Sequence, residues 1–346
     1  MKAEIKVSVI VPVFNGGSAV GTALSSLFAQ DLSGFEIIAV NDASTDDTGA
    51  VLDLIASSES RLRVVHQKEN GGVHEARAAG LRAASGEWIG FMDADDSVEP
   101  NMFSTLYREA SESNADIVIC SVRTVDGNGR ELGNKVEFEG RRLYIEKLLE
   151  KYTEFGFGSG VLWNKLYRRD LILKWGAQSF VWRQNATEDT LVNIGCFAEA
   201  TSILVLPDVL YNYKIHSESA THAATAACRY HRILRAYAEA VDFYSVLGED
   251  ALQCVDRLYR MQLQGQSFAV KNLSDLAEFR EPLSEAVCRL AELRPSAVYE
   301  AINPGIANPN YFEQRQSTIR QLVKLCGRLI SNGWRKFGQF MRSAKA

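Results

Sequence analysis

Long apolar runs are missing from this chain of 346 residues. No stretch approaches the ~18 uncharged, apolar residues of a membrane-spanning helix, so none is expected. A leader pattern is missing too. Met1-Lys2-Ala3-Glu4-Ile5-Lys6 runs directly into a strand-like segment, with no apolar core or small-residue cleavage site, which predicts a cytoplasmic protein. The Asn-x-Ser/Thr matches at Asn185 and Asn272 therefore carry no weight as glycosylation sites. Cysteine is sparse: six residues, at 120, 196, 228, 254, 288 and 326, never as Cys-x-x-Cys and never beside a His pair. That spacing argues against zinc and against a disulfide framework, and fits reduced thiols packed as small apolar groups. There is no basic excess: 38 Lys and Arg against 43 Asp and Glu leave a net charge of -5, so nucleic acid is not an expected partner. Phosphate-cradling glycine patterns are also lacking. Asn15-Gly16-Gly17-Ser18-Ala19-Val20-Gly21 is not G-x-G-x-x-G, Gly156-Phe157-Gly158-Ser159-Gly160 fails the same spacing, and no Walker lysine follows. Dehydrogenases and P-loop enzymes are thereby excluded.

What is present is an ordinary globular composition, 46% hydrophobic and 23% charged, which excludes disorder and fibrous repetition. The charge is unevenly placed. Residues 313–346 hold eight basic side chains and one acid, +7 on a chain whose remainder is -12. Ile319, Leu322, Val323, Cys326, Leu329, Ile330, Trp334, Phe337, Phe340 and Met341 recur there at three- and four-residue steps with basic residues between them. This predicts a basic amphipathic helix, which either docks on the protein or lies on an anionic membrane surface at the inner face of the plasma membrane.

The first 122 residues alternate short apolar runs with helical patterns. Strands are expected at Val7–Phe14, Glu36–Val40, Leu62–His66, Trp88–Met92 and Asp116–Val122. Helices are expected at about Val20–Gln30, up to Ala56 with Ser44 or Thr45 as its cap, at Val73–Ala84 and at Asn101–Ser113. Such alternation predicts an α/β fold with a mostly parallel sheet covered on both faces. Beyond it come a turn at Asp126-Gly127-Asn128-Gly129, a strand at Val161–Tyr167, a helix at Glu188–Glu199, and one or two strands in Ile203–Tyr213. From about Ala223 the pattern is helical: Ala223–Leu247, Ala251–Val270, Ser274–Leu293 and a last helix from Ile319. Two domains are expected, 1–220 and a helical region 221–346.

Ligands of parallel sheets bind beyond the carboxyl ends of the strands. Asn15, Asp42 and Asp93 each stand at such an end. Three carboxylates, Asp93, Asp95 and Asp96, leave a single buried strand within four residues, where like charges repel unless a cation neutralises them. Hard oxygen ligands of this kind suit Mg2+ or Mn2+ on a diphosphate, and a plain helix-capping turn is the alternative.

Val9-Ile10-Val11-Pro12-Val13-Phe14-Asn15, Asn41-Asp42-Ala43-Ser44-Thr45-Asp46, Gly71-Gly72-Val73 with Ala76-Arg77, and Phe91-Met92-Asp93-Ala94-Asp95-Asp96 together resemble family 2 glycosyltransferases of the bacterial polysaccharide type. Trp163-Asn164-Lys165-Leu166-Tyr167 and Thr187-Glu188-Asp189 extend the resemblance, in order, over roughly residues 5–217. It implies the GT-A nucleotide-binding fold and an inverting transfer from a nucleotide sugar, UDP-linked by family habit, to a glycan or lipid-linked saccharide. Pro12, Phe14, Asn15 and Asp42 would then surround the base and ribose, with Arg77 near the nucleotide. Asp95 would hold the metal, Asp93 the ribose or metal shell, and Asp96 the donor sugar or metal. Asp189 matches the general base, and Glu188 falls at the acceptor. The rings of Trp163 and Trp182 offer apolar faces for an acceptor sugar, with core packing as the equal alternative. Asn41 and Ala43 depart from the family pattern, which usually has an acid and a glycine there. Ala78 stands where a zincin helix starting at His74-Glu75 would need its second histidine, so zinc is rejected. His216 is a further candidate for the metal or phosphates. Two rival readings are a haloacid-dehalogenase-like phosphatase with Asp93 as nucleophile, and a non-catalytic nucleotide-sugar binding module.

Overall fold

The computed structural model of the protein describes residues 4–17, 19–184, 187–215, 225–267 and 279–295. It divides into two compact units, Met1–Ser219 and Ala220–Ala346. The first opens with three strand–helix repeats: β1 (Val7–Val13), α1 (Ala19–Phe28), β2 (Phe35–Asn41), α2 (Thr48–Ala56), β3 (Leu62–His66) and α3 (Val73–Ala83). Then follow β4 (Trp88–Phe91), β5 (Ser97–Val98), α4 (Met102–Ser113), β6 (Ile117–Val125), β7 (Glu131–Val136), β8 (Arg142–Tyr144), α5 (Leu148–Thr153), β9 (Lys165–Arg168), α6 (Arg169–Gly176), α7 (Glu188–Glu199) and β10 (Ile203–Lys214).

All ten strands join one sheet, in the order β3-β2-β1-β4-β9-β6-β10-β5, with β7 on β6 and β8 on β10. Pairs β3-β2, β2-β1, β1-β4 and β6-β10 are parallel, while β9 enters antiparallel between β4 and β6. The inner strands are β-branched and apolar because helices cover both faces: every side chain of Val7–Val11 is buried. Close packing of helix on sheet is set by glycine. A Cβ at Gly80 of α3 would lie 2.4 Å from Ile10 Cγ2, and one at Gly90 of β4 2.4 Å from Phe103 Cε1. The chain leaves β1 toward β2 and β3, then returns to β4 on the other side of β1. That reversal opens a crevice at the carboxyl ends of β1 and β4.

The sequence expectation of a mostly parallel, helix-covered sheet holds, with local corrections. Ser44 and Thr45 do not cap α2: the helix starts at Thr48 behind Asp47, because the two hydroxyls are turned toward Asn15. Strand β9 begins at Lys165, since Leu162–Asn164 form a turn closed by the Lys165 N–H on Leu162 O. Ile203–Lys214 is one strand, whose Pro207 sits in an irregularity of the β6 pairing where no ladder donor is needed.

The second unit contains α8 (Ala226–Phe243), a 3-10 turn at Ser245–Leu247, α9 (Glu249–Ser267) and α10 (Arg280–Leu293). Thr225 caps α8 through its hydroxyl, which accepts from Cys228 N–H at 3.1 Å. Stacked Tyr237 and Tyr259 fill its core, and the Tyr237 hydroxyl donates to Asp256 at 2.6 Å. The expected helix from Ile319, the basic tail and His216 lie outside the described residues. No described helix is long and apolar enough to cross a membrane.

Candidate active site

Two loops close the β1 side of the crevice. Asn15 adopts φ 50°, a left-handed turn that suits asparagine, and its N–H donates to Ser44 Oγ at 3.0 Å. Its Oδ1 accepts from Thr45 N–H at 2.8 Å, tying the β1–α1 loop to the β2–α2 loop. Phe14 is 51% exposed at this mouth, and Pro12 sits half-buried in β1 opposite Val40. Asp42 is buried. Its two oxygens accept the backbone N–H groups of Gly71 and Gly72, each at 2.8 Å, so its carboxylate organises the turn that starts α3. Burial raises its pKa against those two donors. Asn41, where the family has an acid, places its amide nitrogen 3.0 Å from His66 Nδ1.

Arg77, one turn into α3, is the centre of the site. Its Nη2 donates to Asp93 Oδ1 at 2.8 Å, and its Nη1 donates to Glu188 Oε1 at 2.8 Å and Asp189 Oδ1 at 2.6 Å. One buried guanidinium thus joins the turn after β4 to the first turn of α7, an arrangement only the planar fork of arginine provides. Burial works against its charge, but Asp189, Asp93 and Glu188 outweigh it and hold its pKa above its already high ordinary range. Arg77 Nε and Glu188 Oε2 are buried without a hydrogen-bond partner.

Asp189 also accepts the Leu162 N–H on Oδ2 at 3.3 Å, and its side chain keeps 18% of its surface open. Burial pushes its pKa up to about 7; Arg77 opposes the rise, and Glu188 and Asp93 add to it. The three acids after β4 diverge. Asp93 is 32% exposed and Asp95 lies exposed on the same turn, while Asp96 is turned inward. Asp96 accepts the Tyr211 hydroxyl at 2.7 Å and the Lys214 N–H at 2.7 Å, and burial beside Asp93 raises its pKa to about 8. The same Tyr211 oxygen accepts the Asp93 N–H at 3.2 Å.

Asp93, Asp189, Arg77 and Glu188 are therefore brought together, with Asp95 beside them, whereas Asp96 supports the turn from beneath. Of the two readings of Trp163, sugar platform or core, the structure shows the packed one: it is 2% exposed and stacks on Tyr211 at 4.2 Å and Tyr213 at 5.7 Å. Trp182 is buried as well. Tyr211 has no sequence signal of its own, and Lys165 stands out only as part of the family-like segment Trp163–Tyr167, because nothing in a β-strand alternation marks which inward side chain serves an acid. Among the described residues no three His, Cys, Asp or Glu side chains gather as a metal cage. Asp93 and Asp95 instead offer hard carboxylate oxygens at an open rim, a partial shell of the kind Mg2+ or Mn2+ shares with phosphate oxygens.

Comparisons with known proteins agree with this geometry. The model of Glycosyl transferase family 2 matches residues 8–176. An uncharacterized glycosyltransferase of Bacillus subtilis, EpsJ, is 30% identical over 247 residues, covering 70% of each chain. The putative glycosyltransferase EpsH of the same organism is 33% identical over 62% of each. Among solved structures, S. aureus TarS residues 1–349 with UDP-GlcNAc superposes with a TM-score of 0.65 at 22% identity, covering 91% of this chain and 92% of that one. A mannosyltransferase of Pyrobaculum calidifontis, solved with GDP-Man and Mn2+, reaches a TM-score of 0.53 at 17% identity over 89% and 88%. The fold is GT-A. The acidic turn follows β4 rather than the first strand, and the family model and both Bacillus relatives are glycosyltransferases, which leaves the phosphatase and the binding-module readings without support.

Proposed function

Because this chain belongs to glycosyl transferase family 2 and is a glycosyltransferase, we propose that it moves a sugar, with inversion, from a UDP-linked donor to a hydroxyl of a glycan or lipid-linked saccharide. The observation carrying this reading is the Arg77 bridge, which sets Asp93 and Asp189 on one guanidinium at 2.8 and 2.6 Å. A diphosphate at the Asp93–Asp95 turn then has its sugar beside Asp189.

Phe14, Pro12 and Asn15 border the space for the base and ribose, and the Asp42-braced turn completes its floor. Asp95 and Asp93 would hold Mn2+ or Mg2+, whose charge would stabilise the departing diphosphate. Asp189 takes the proton of the acceptor hydroxyl as its oxygen bonds the anomeric carbon. The bond from that carbon to the diphosphate oxygen breaks on the opposite face. A carboxylate whose pKa burial has brought to about 7 is well matched to this work near neutral pH. Arg77 holds the base oriented and keeps it close to the donor turn. Glu188, buried and sharing Arg77, would then stand on the acceptor side of that base. The UDP-GlcNAc complex of TarS and the GDP-Man and Mn2+ complex of the archaeal mannosyltransferase favour nucleotide-sugar donors for this fold.

The test is a nucleotide-release screen over a panel of sugar nucleotides with Mn2+, with and without EDTA. One donor should release nucleotide in a metal-dependent way even without acceptor. Release from none, or release indifferent to EDTA, contradicts the proposal.

A further inference from the structure

Lys165 is fully buried, on the first residue of β9, and has no carboxylate at ion-pair distance among the described residues. Its ammonium donates to Ser159 O at 3.3 Å, to Val161 O and to Asn164 Oδ1 at 2.9 Å, one acceptor for each of its three protons. From α7, Asn193 Nδ2 donates to Gly160 O at 2.7 Å, and Asn193 Oδ1 accepts the Tyr167 hydroxyl at 2.7 Å. The carbonyls of Ser159, Gly160 and Val161 are thus all drawn inward. The next N–H, that of Leu162, is the one on Asp189 Oδ2. Gly160 permits this approach to α7, since a Cβ there would sit 2.8 Å from Thr190 Oγ1.

A buried ammonium with only neutral partners is costly to desolvate, so an apolar residue of equal length would be the more stable choice if packing were its whole task. The carboxylate in whose field it lies is Asp189. The charged and titratable groups whose fields reach Asp189 are Arg77 and His74 from α3, Asp93 from the turn after β4, Tyr152 from α5, Lys165 and Tyr167 from β9, and its neighbour Glu188. Arg77 is the cation on the crevice side. We propose that Lys165 is a positioning residue for the transfer step: its ammonium gathers the Ser159–Val161 carbonyls so that Leu162 N–H is aimed at Asp189, and it supplies a second positive charge behind that carboxylate.

The inference rests on Asp189 being the base. Burial lowers the Lys165 pKa to about 7, opposed by Asp189, while burial raises Asp189 to about 7. Below that pH the lysine is charged and favours the ionised carboxylate. Removing the charge moves the base upward in pH, so activity is lost on the acid side and recovered on the alkaline side.

The test compares the full chain with Lys165→Met and Lys165→Gln in pH–rate profiles of transfer, with donor Kd and melting temperature measured alongside. At about pH 6 both variants should turn over roughly tenfold more slowly than the parent, and near about pH 9 the rates should converge to within about threefold. Donor Kd should stay within about twofold. A loss by the same factor at every pH, or no loss, overturns the proposal. If neither variant folds, Nζ spectra of 15N-lysine-labelled parent decide. At about pH 6 an exchange-protected ammonium is required, and a neutral buried amine contradicts it. Asp189→Asn separates the premise: transfer at the parental rate in that variant refutes the base itself, whatever Lys165 does.

Discussion

Replacing Tyr211 with Phe removes one oxygen and leaves its stack on Trp163 in place. That oxygen donates to Asp96 at 2.7 Å and accepts the Asp93 N–H at 3.2 Å, all beneath the acidic turn. Asp96 keeps the Lys214 N–H at 2.7 Å, so one of its two partners survives. The Asp93 N–H loses its acceptor in a half-buried position. An orphaned donor costs about 1–3 kcal/mol and the lost hydroxyl bond to a carboxyl about 1 more, giving roughly 2–4 kcal/mol for the variant. The same loss frees Asp93 and Asp95 to wander, and substitutions behind metal ligands typically weaken the metal about tenfold or more. Thermal unfolding and a Mn2+ titration of donor hydrolysis measure the two effects. The melting temperature should drop and half-saturating Mn2+ should rise about tenfold. A lower melting temperature with Mn2+ dependence within about twofold of the parent would show that Tyr211 supports packing alone, and the reasoning would fail.

Asp95→Ala should abolish metal-dependent donor hydrolysis while leaving the free energy of unfolding within about 1 kcal/mol of the parent, because its side chain is exposed. Asp189→Asn should bind donor, as calorimetry would show, yet transfer at least about a hundredfold more slowly. In the helical unit, His231 packs on Phe279 and burial lowers its pKa to about 4, so the native state resists a proton that the unfolded chain accepts near its ordinary value. Stability should therefore fall as pH drops from about 6.5 toward 4, by at most about 3 kcal/mol, and His231→Phe should flatten that part of a denaturation-versus-pH curve. Gly90→Ala forces a methyl onto Phe103 and should cost about 1–3 kcal/mol in urea unfolding.

The parallel half of the sheet was readable because its strands are short, apolar and separated by helices of regular period. Leu62–His66 and Glu188–Glu199 match the expected limits to the residue. The candidate site was legible wherever a polar residue followed the end of such a strand, and the structure places Asn15 and Asp93 at the carboxyl ends of β1 and β4. What escaped depends on partners far away in sequence. Strand β9 is antiparallel between β4 and β6, and its partners set its start at Lys165, although the apolar pattern begins four residues earlier. Asp96 looks like its neighbours Asp93 and Asp95 until Tyr211, 115 residues away, is found above it. Trp163 reads equally as a sugar platform or as core, and only the two stacked tyrosines of β10 decide for core. The capping hydroxyls of Ser44 and Thr45 had a competing partner in Asn15, which local helix rules do not include.

The central claim is that a cation and a diphosphate are held by Asp93 and Asp95 within reach of the Asp189 base. Anomalous diffraction from crystals grown with Mn2+ and a nucleoside diphosphate tests it most directly. A manganese peak shared between the Asp95 carboxylate and the diphosphate oxygens, with Asp189 open toward it, is the result expected. A nucleotide seated elsewhere on the chain, with both aspartates facing only water, would contradict it.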